Sequence, residues 1–269
     1  MQLPVESRAA TNTPNKLFIY EKISNFARKT DIMMFPHIEP CIYPSTFLRN
    51  VELQISYPRN KEFEAWMINA MAKWISSDTK SKLTQNEDSL IIWNPNYLFV
   101  FKEDKCLCRF NPNYFKTFSD AISLLNENKE LLIELFNNKV KGTRLKKTNI
   151  IPAERTNDDS DDFSILFEIF SENIVTKHES NSIFESSLLA QMTQTTLLQD
   201  DYELNINYGF SINKKDPTQL MGVLELIAED TKTCAYSNFV KNIERMNSII
   251  FDMFNWCVSQ KILDLMKED

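Results

Sequence analysis

His37 and His178 are the sole imidazoles in the chain, so a serine or cysteine nucleophile has only two candidate bases, and neither sits in a recognisable catalytic motif. Both are read as surface or loop histidines. Cys106 and Cys108, two residues apart, would share one face of a strand. A closed zinc site needs four ligands, and only Cys41, Cys234, Cys257 and the two histidines remain to complete it. Packed thiols are the simpler reading. Glu103-Asp104-Lys105 matches the Glu-x-Lys half of a nuclease motif, in which a carboxylate holds a metal and the lysine polarises phosphate, but it falls at a hairpin turn where charges are expected anyway. Gly142, Gly209 and Gly222 stand alone. Phosphate-cradling loops need clustered glycines, because backbone amides must approach the anion without a Cβ in the way. A Walker loop, a dinucleotide fingerprint and a Gly-x-Ser-x-Gly elbow are therefore missing from the sequence. Asp158, Asp159, Asp161 and Asp162 form an acidic run without the Gly-centred twelve-residue loop of a calcium site. No catalytic, cofactor-binding or metal-ligating residue is assigned, and the expectation is that the protein is not an enzyme.

One charged constellation remains. Lys139, Lys141, Arg144, Lys146 and Lys147 place five positive groups in nine residues, a spacing that could contact phosphates or serve as a nuclear-import signal. No aromatic residue interleaves them, which disfavours stacking on single-stranded bases. The net charge of -7 opposes a phosphate backbone outside such a patch.

The elements that would position these residues follow from periodicity. Phe18, Ile19, Ile23, Phe26 and Ala27 recur at helical spacing over about 16–29. Val51 to Tyr57 alternates as a half-buried strand, and Phe63, Met67, Ala70 and Trp74 make a helical stripe. Residues 90 to 110 predict a three-strand meander with turns at Asn94-Pro95-Asn96 and Glu103 to Lys105. Phe118, Ile122, Leu125, Leu132 and Phe136 predict one long helix over about 114–140, ending near Gly142. Charged, apolar-poor residues 141 to 162 read as a mobile loop or linker. Beyond it the pattern predicts a strand at Ser164 to Phe170, a helix at about 182–199, and a long alternating strand at Tyr202 to Ile212. Asp216-Pro217-Thr218-Gln219 has the residues of a helix start. The final stretch from Tyr236 carries Phe239, Ile243, Met246, Ile250 and Met253 on one helical face, wide enough to be expected to meet a partner.

The fold class is therefore α+β: mixed or antiparallel sheets with amphipathic helices packed on them and a long C-terminal helix. The expected organisation is a flexible tail at 1–15, an N-terminal α/β portion at 16–140, the linker at 141–162, and a C-terminal α/β portion at 163–269. With 43% hydrophobic residues and 19 Phe, the core is strongly aromatic. Five cysteines, scattered among apolar neighbours, read as reduced thiols. The longest apolar stretches fall far below the ~20 residues that span a bilayer, the N-terminal residues lack an apolar signal core, and no N-glycosylation sequon occurs. Cytosol or nucleus is the expected location, the nucleus favoured, with no membrane association.

The order helix, strand, helix, hairpin, long helix, strand from 16 to about 175 resembles the opening of the HORMA domain, the adaptor fold of the spindle-checkpoint and polymerase-subunit type. Ile42-Tyr43-Pro44-Ser45 followed by Phe47 is similar to the segment after that family's first helix, and Phe63 to Trp74 occupies the place of its second. The resemblance implies a non-enzymatic adaptor that traps a short peptide beneath a mobile C-terminal element. The leading expectation is thus an adaptor or scaffold subunit of an intracellular complex, binding other protein subunits as a hetero-complex or homodimer. A nucleic-acid-associated factor using 139–147 is the second, and an enzyme of unfamiliar architecture the third.

Overall fold

The computed structural model describes residues 35–39, 41–43, 46–78, 80–154, 162–175, 190–212 and 219–268. The tail predicted at 1–15 and the helix predicted at 16–29 lie outside them.

Alternation builds the first strand, β1 (Leu48–Ser56), with Val51, Leu53 and Ile55 buried on one face. Helix α1 (Phe63–Ser77) follows and turns Trp66, Met67, Ala70 and Trp74 into the same core. The predicted meander is present as β3 (Leu90–Asn94), β4 (Tyr97–Phe101) and β5 (Lys105–Phe110). A short preceding strand, β2 (Lys82–Gln85), extends it by one.

The long helix predicted at 114–140 is two. Helix α2 (Phe118–Glu127) begins with a capping box in which Thr117 and Asp120 satisfy each other's backbone amides, and α3 (Lys129–Phe136) follows a break at Asn128. Asn137 and Asn138 both take the left-handed conformation that asparagine tolerates, and they end α3 ahead of Gly142. The chain then enters β6 (Lys139–Val140) and β7 (Gly142–Glu154).

β7 overturns the predicted linker. Its thirteen residues pair with β1 on one side and β10 (Gln219–Asp230) on the other, so its charges stand on a central strand. Leu145, Asn149 and Ile151 point into the core between them, too sparsely for the eye to catch the alternation. The predicted strand at Ser164 to Phe170 is helix α4 (Asp162–Ile169). The predicted helix at 182–199 is strand β8 (Ala190–Gln199) over its described part, and residues 182–189 lie outside the described set. β9 (Tyr202–Ile212) is the alternating strand expected there. The helix expected after Asp216 is instead β10, which starts at Gln219. Last come β11 (Cys234–Ala235), the long helix α5 (Tyr236–Cys257) and the short α6 (Gln260–Leu265).

Among the described residues nine strands join one antiparallel sheet in the order β2-β3-β4-β5-β1-β7-β10-β9-β8, and β11 pairs with β6. The two α/β portions expected from the sequence are consequently not separated by a linker: β1 and β10, from opposite halves of the chain, flank β7. The described helices carry their apolar faces into one side of this sheet. Trp74 meets Phe99 edge-on at 5.4 Å and Trp66 meets Phe101 at 5.2 Å. Trp66 also donates its indole N–H to the Leu131 carbonyl at 2.9 Å, tying α1 to α3.

The stripe Phe239, Ile243, Met246, Ile250 and Met253 is at most 1% exposed. It was expected to face a partner, but β7 and β10 supply a sheet broad enough to cover it within the same chain. A buried carboxylate on the same helix, Asp252, accepts from the Ile38 amide at 3.0 Å and lies 3.2 Å from His37 Nδ1. Tyr43 donates to Asn255 at 2.6 Å.

Candidate interaction surface

The basic cluster divides three ways. Strand alternation sends Arg144 and Lys146 to the face of the sheet that is helix-free among the described residues, where they lie 3.8 Å from Glu229 and from Glu225. Lys147 points the opposite way, into the helix layer. There it donates to Asn247 Oδ1 at 2.6 Å and stands 5.4 Å over the Phe118 ring, and burial pushes its ammonium down from 10.5 to about 8. Lys139 and Lys141 are exposed near the sheet's end. The five cations thus do not converge on one phosphate-sized patch.

Other sequence candidates have structural surroundings. Cys106 and Cys108 do share a face, with sulfurs 3.5 Å apart in the core, and burial pushes the Cys106 thiol well above its ordinary value. Among the described residues no group of three metal-ligating side chains forms. Glu103 pairs with Arg59 at 2.7 Å at the expected hairpin turn. His178 lies outside the described residues.

Sequence reasoning missed the polar network at the end of α1. Asp78 Oδ2 accepts from Tyr97 at 2.5 Å, Ser81 at 2.7 Å and Asn94 at 3.1 Å. Burial pulls its pKa upward, but these bonds, with the Lys80 amide, outweigh it and hold the carboxyl below its ordinary value. Asp78 follows the last turn of α1, so the network closes that helix onto β3 and β4.

The register assigns the other face of the sheet residue by residue. One row crosses all nine strands as Lys82, Trp93, Leu98, Arg109, Glu52, Lys146, Ile227, Asn205 and Thr196. Its neighbour runs Thr84, Ile91, Val100, Leu107, Gln54, Arg144, Glu229, Glu203 and Leu198. Three sectors result. The middle is charged and internally paired, with Arg109 donating to Glu52 at 2.9 Å. The β9–β8 side is an amide and hydroxyl net in which Asn205 Oδ1 accepts from Thr196 at 2.6 Å. The β3–β5 sector is apolar: Trp93, 44% exposed, stands at its corner beside Ile91 and Leu98, and Val100 and Leu107 continue the apolar row across β4 and β5.

This sector is framed by cations. Lys82 Nζ stands 5.5 Å from the Trp93 ring centre. Arg49, Asn50, Trp93, Leu98, Arg109 and Asn111 line a depression of about 240 Å³. An exposed tryptophan on an apolar floor between arginines has the composition of an interface anchor, since Trp and Arg dominate binding energy where they are desolvated. The signal was present in Ile91-Ile92-Trp93, where Trp93 alternates out of the core, but it does not say that every described helix lies on the other face of the sheet.

No family model matches the chain, and no curated protein matches it. Among solved structures, crystal form I of TP0453 aligns with 79% of this chain and 98% of that chain, at 10% identity and a TM-score of 0.18. So weak a likeness carries no argument about this chain.

Proposed function

We propose that the protein is a non-enzymatic adaptor or scaffold subunit of an intracellular complex, in the cytosol or nucleus, and that it binds a partner protein on the β3–β5 sector of its helix-free sheet face. The observation that carries this reading is Trp93, exposed at the corner of an apolar patch and flanked by Lys82, Arg49 and Arg109. A monomer leaves few such patches open, and one rimmed by polar groups marks an interaction site. The cations favour a partner that brings an apolar anchor ringed by carboxylates. The HORMA resemblance, which keeps Ile42-Tyr43-Pro44-Ser45 and the helix at Phe63–Ser77 but not the expected long helix or the strand at 164–170, implies the same class of activity, binding rather than chemistry. A nucleic-acid role draws less support, because Arg144 and Lys146 lie beside carboxylates and Lys147 faces inward.

Purification of the tagged full chain from its source cells tests this reading. A partner retained by the parent protein should bind Trp93→Ala at least about tenfold more weakly, as loss of an anchor residue does, while the thermal midpoint stays within about 2 °C. Equal retention by both proteins would refute the assigned surface.

A further inference from the structure

We propose that β8 is a self-pairing seam, through which two copies of the chain join antiparallel about a two-fold axis at Thr195 and merge two nine-stranded sheets into one. The sheet's two edges are unlike. β2 has four residues and begins with an exposed lysine, the usual protection against edge-to-edge pairing. β8 has ten, Ala190-Gln-Met-Thr-Gln-Thr-Thr-Leu-Leu-Gln199, with no charge, proline or glycine. Met192 through Thr196 are exposed on both faces, and among the described residues no strand pairs with the outer side of β8. An unprotected edge of this length offers a row of unpaired amides and carbonyls to another strand.

The sequence of β8 matches itself in one register. Residues opposite each other in an antiparallel pair point to the same face, so the axis must pass through a residue facing its own copy. Placed at Thr195, it centres the strand and sets Met192 against Leu198 of the second copy, and Leu198 against its Met192. Both belong to the helix-free face and are the most exposed large apolar side chains of this strand, at 52% and 66%. Gln194 meets Thr196, an amide against a hydroxyl, and Thr195 meets itself. Moving the axis to Thr196 would set Met192 against Asp200, and moving it to Gln194 would pair Met192 with Thr196; either loses the apolar match. A seam of one strand is smaller than a standard interface, so the expected dissociation constant is on the order of 10 μM. The seam lies at the opposite edge of the sheet from Trp93, so Trp93→Ala leaves it intact and the two readings fail separately.

Sedimentation velocity of the full chain from about 1 to 200 μM tests the seam, and a reversible monomer–dimer equilibrium is expected over that range. Thr195→Lys puts like charges face to face and should weaken dimerisation at least about tenfold. Met192→Glu and Leu198→Lys should each weaken it, while the double variant should restore it, because each new glutamate then faces a new lysine; raising the salt should remove that restoration. These side chains are exposed, so far-UV circular dichroism should not change. A chain that stays monomeric throughout, or a dimer indifferent to Thr195→Lys and to the charge pair, would overturn the proposal. So would a monomer whose β8 amides gain hydrogen-exchange protection only when a different protein binds, which would assign the edge to that protein.

Discussion

Lys147 is the residue whose surroundings depart furthest from what its type invites. Its ammonium enters the helix layer against a neutral amide and a ring, Asn247 and Phe118, and among the described residues no opposite charge pairs with it to offset its desolvation. Below about pH 8 it is charged in both folded and unfolded chains, and that cost is present in full. Between about 8 and 10.5 the unfolded chain holds the proton more tightly than the folded one, so stability attributable to this group rises with pH. Lys147→Met should therefore be more stable than the parent at pH 7, by about 1–3 kcal/mol once residual exposure is discounted, and the advantage should fade as pH approaches 10. Urea titrations of both proteins from pH 7 to 10 measure this; the tyrosines are common to both and cancel in the difference. A constant difference across that range would show that the lysine is solvated.

At the scale of elements, α4 packs tightly against β10 at Gly222. A Cβ on Gly222 would lie 2.9 Å from Ile169 Cδ1, 3.1 Å from its Cγ2 and 3.3 Å from the Ile151 carbonyl oxygen. Gly222→Ala should destabilise the protein by about 1–2 kcal/mol. Because Ile169→Val removes the nearest atom, the double variant should lose about 1 kcal/mol less than the sum of the singles, measured by a double-mutant cycle in urea. Elements were legible in the sequence where one periodicity acted alone: Val51 to Ile55, the meander at 90–110, Tyr202 to Phe210, and the stripe of α5. They were illegible where burial is partial. β7 carries Lys, Arg and Thr on a face whose charges are paired across strands, so its composition imitates a loop. β8 is uncharged at an edge, and Leu197 and Leu198 at its end imitate a helical stripe. The two-residue turn Asp200-Asp201 was the missed signal: both residues take positive φ, and Gln199 pairs directly with Tyr202. The candidate site was less legible still. Trp93 could be placed outside the core from alternation, but its exposure goes with the described helices all lying on the other face.

For the whole molecule, the consequence of β7 is cooperativity. Because this strand is paired on both sides by partners distant in sequence, the two halves of the sheet cannot each keep a complete core. Trp66, Trp74 and Trp93 report on one half and Trp256 on the other. Tryptophan fluorescence and far-UV circular dichroism should give a single, coincident urea transition; two separated midpoints would mean that the halves fold apart. The larger claim is that a sheet covered on one face leaves its other face to do the binding. Photo-crosslinking from the full chain in its source cells tests it most directly, with Trp93 left in place and benzoylphenylalanine put in turn at Leu98, at Leu107, and at two exposed positions away from that face, Ile68 and Tyr114. One discrete protein should be captured from Leu98 and Leu107 and not from Ile68 or Tyr114. Capture from Ile68 or Tyr114 alone, or from neither leucine, would contradict it.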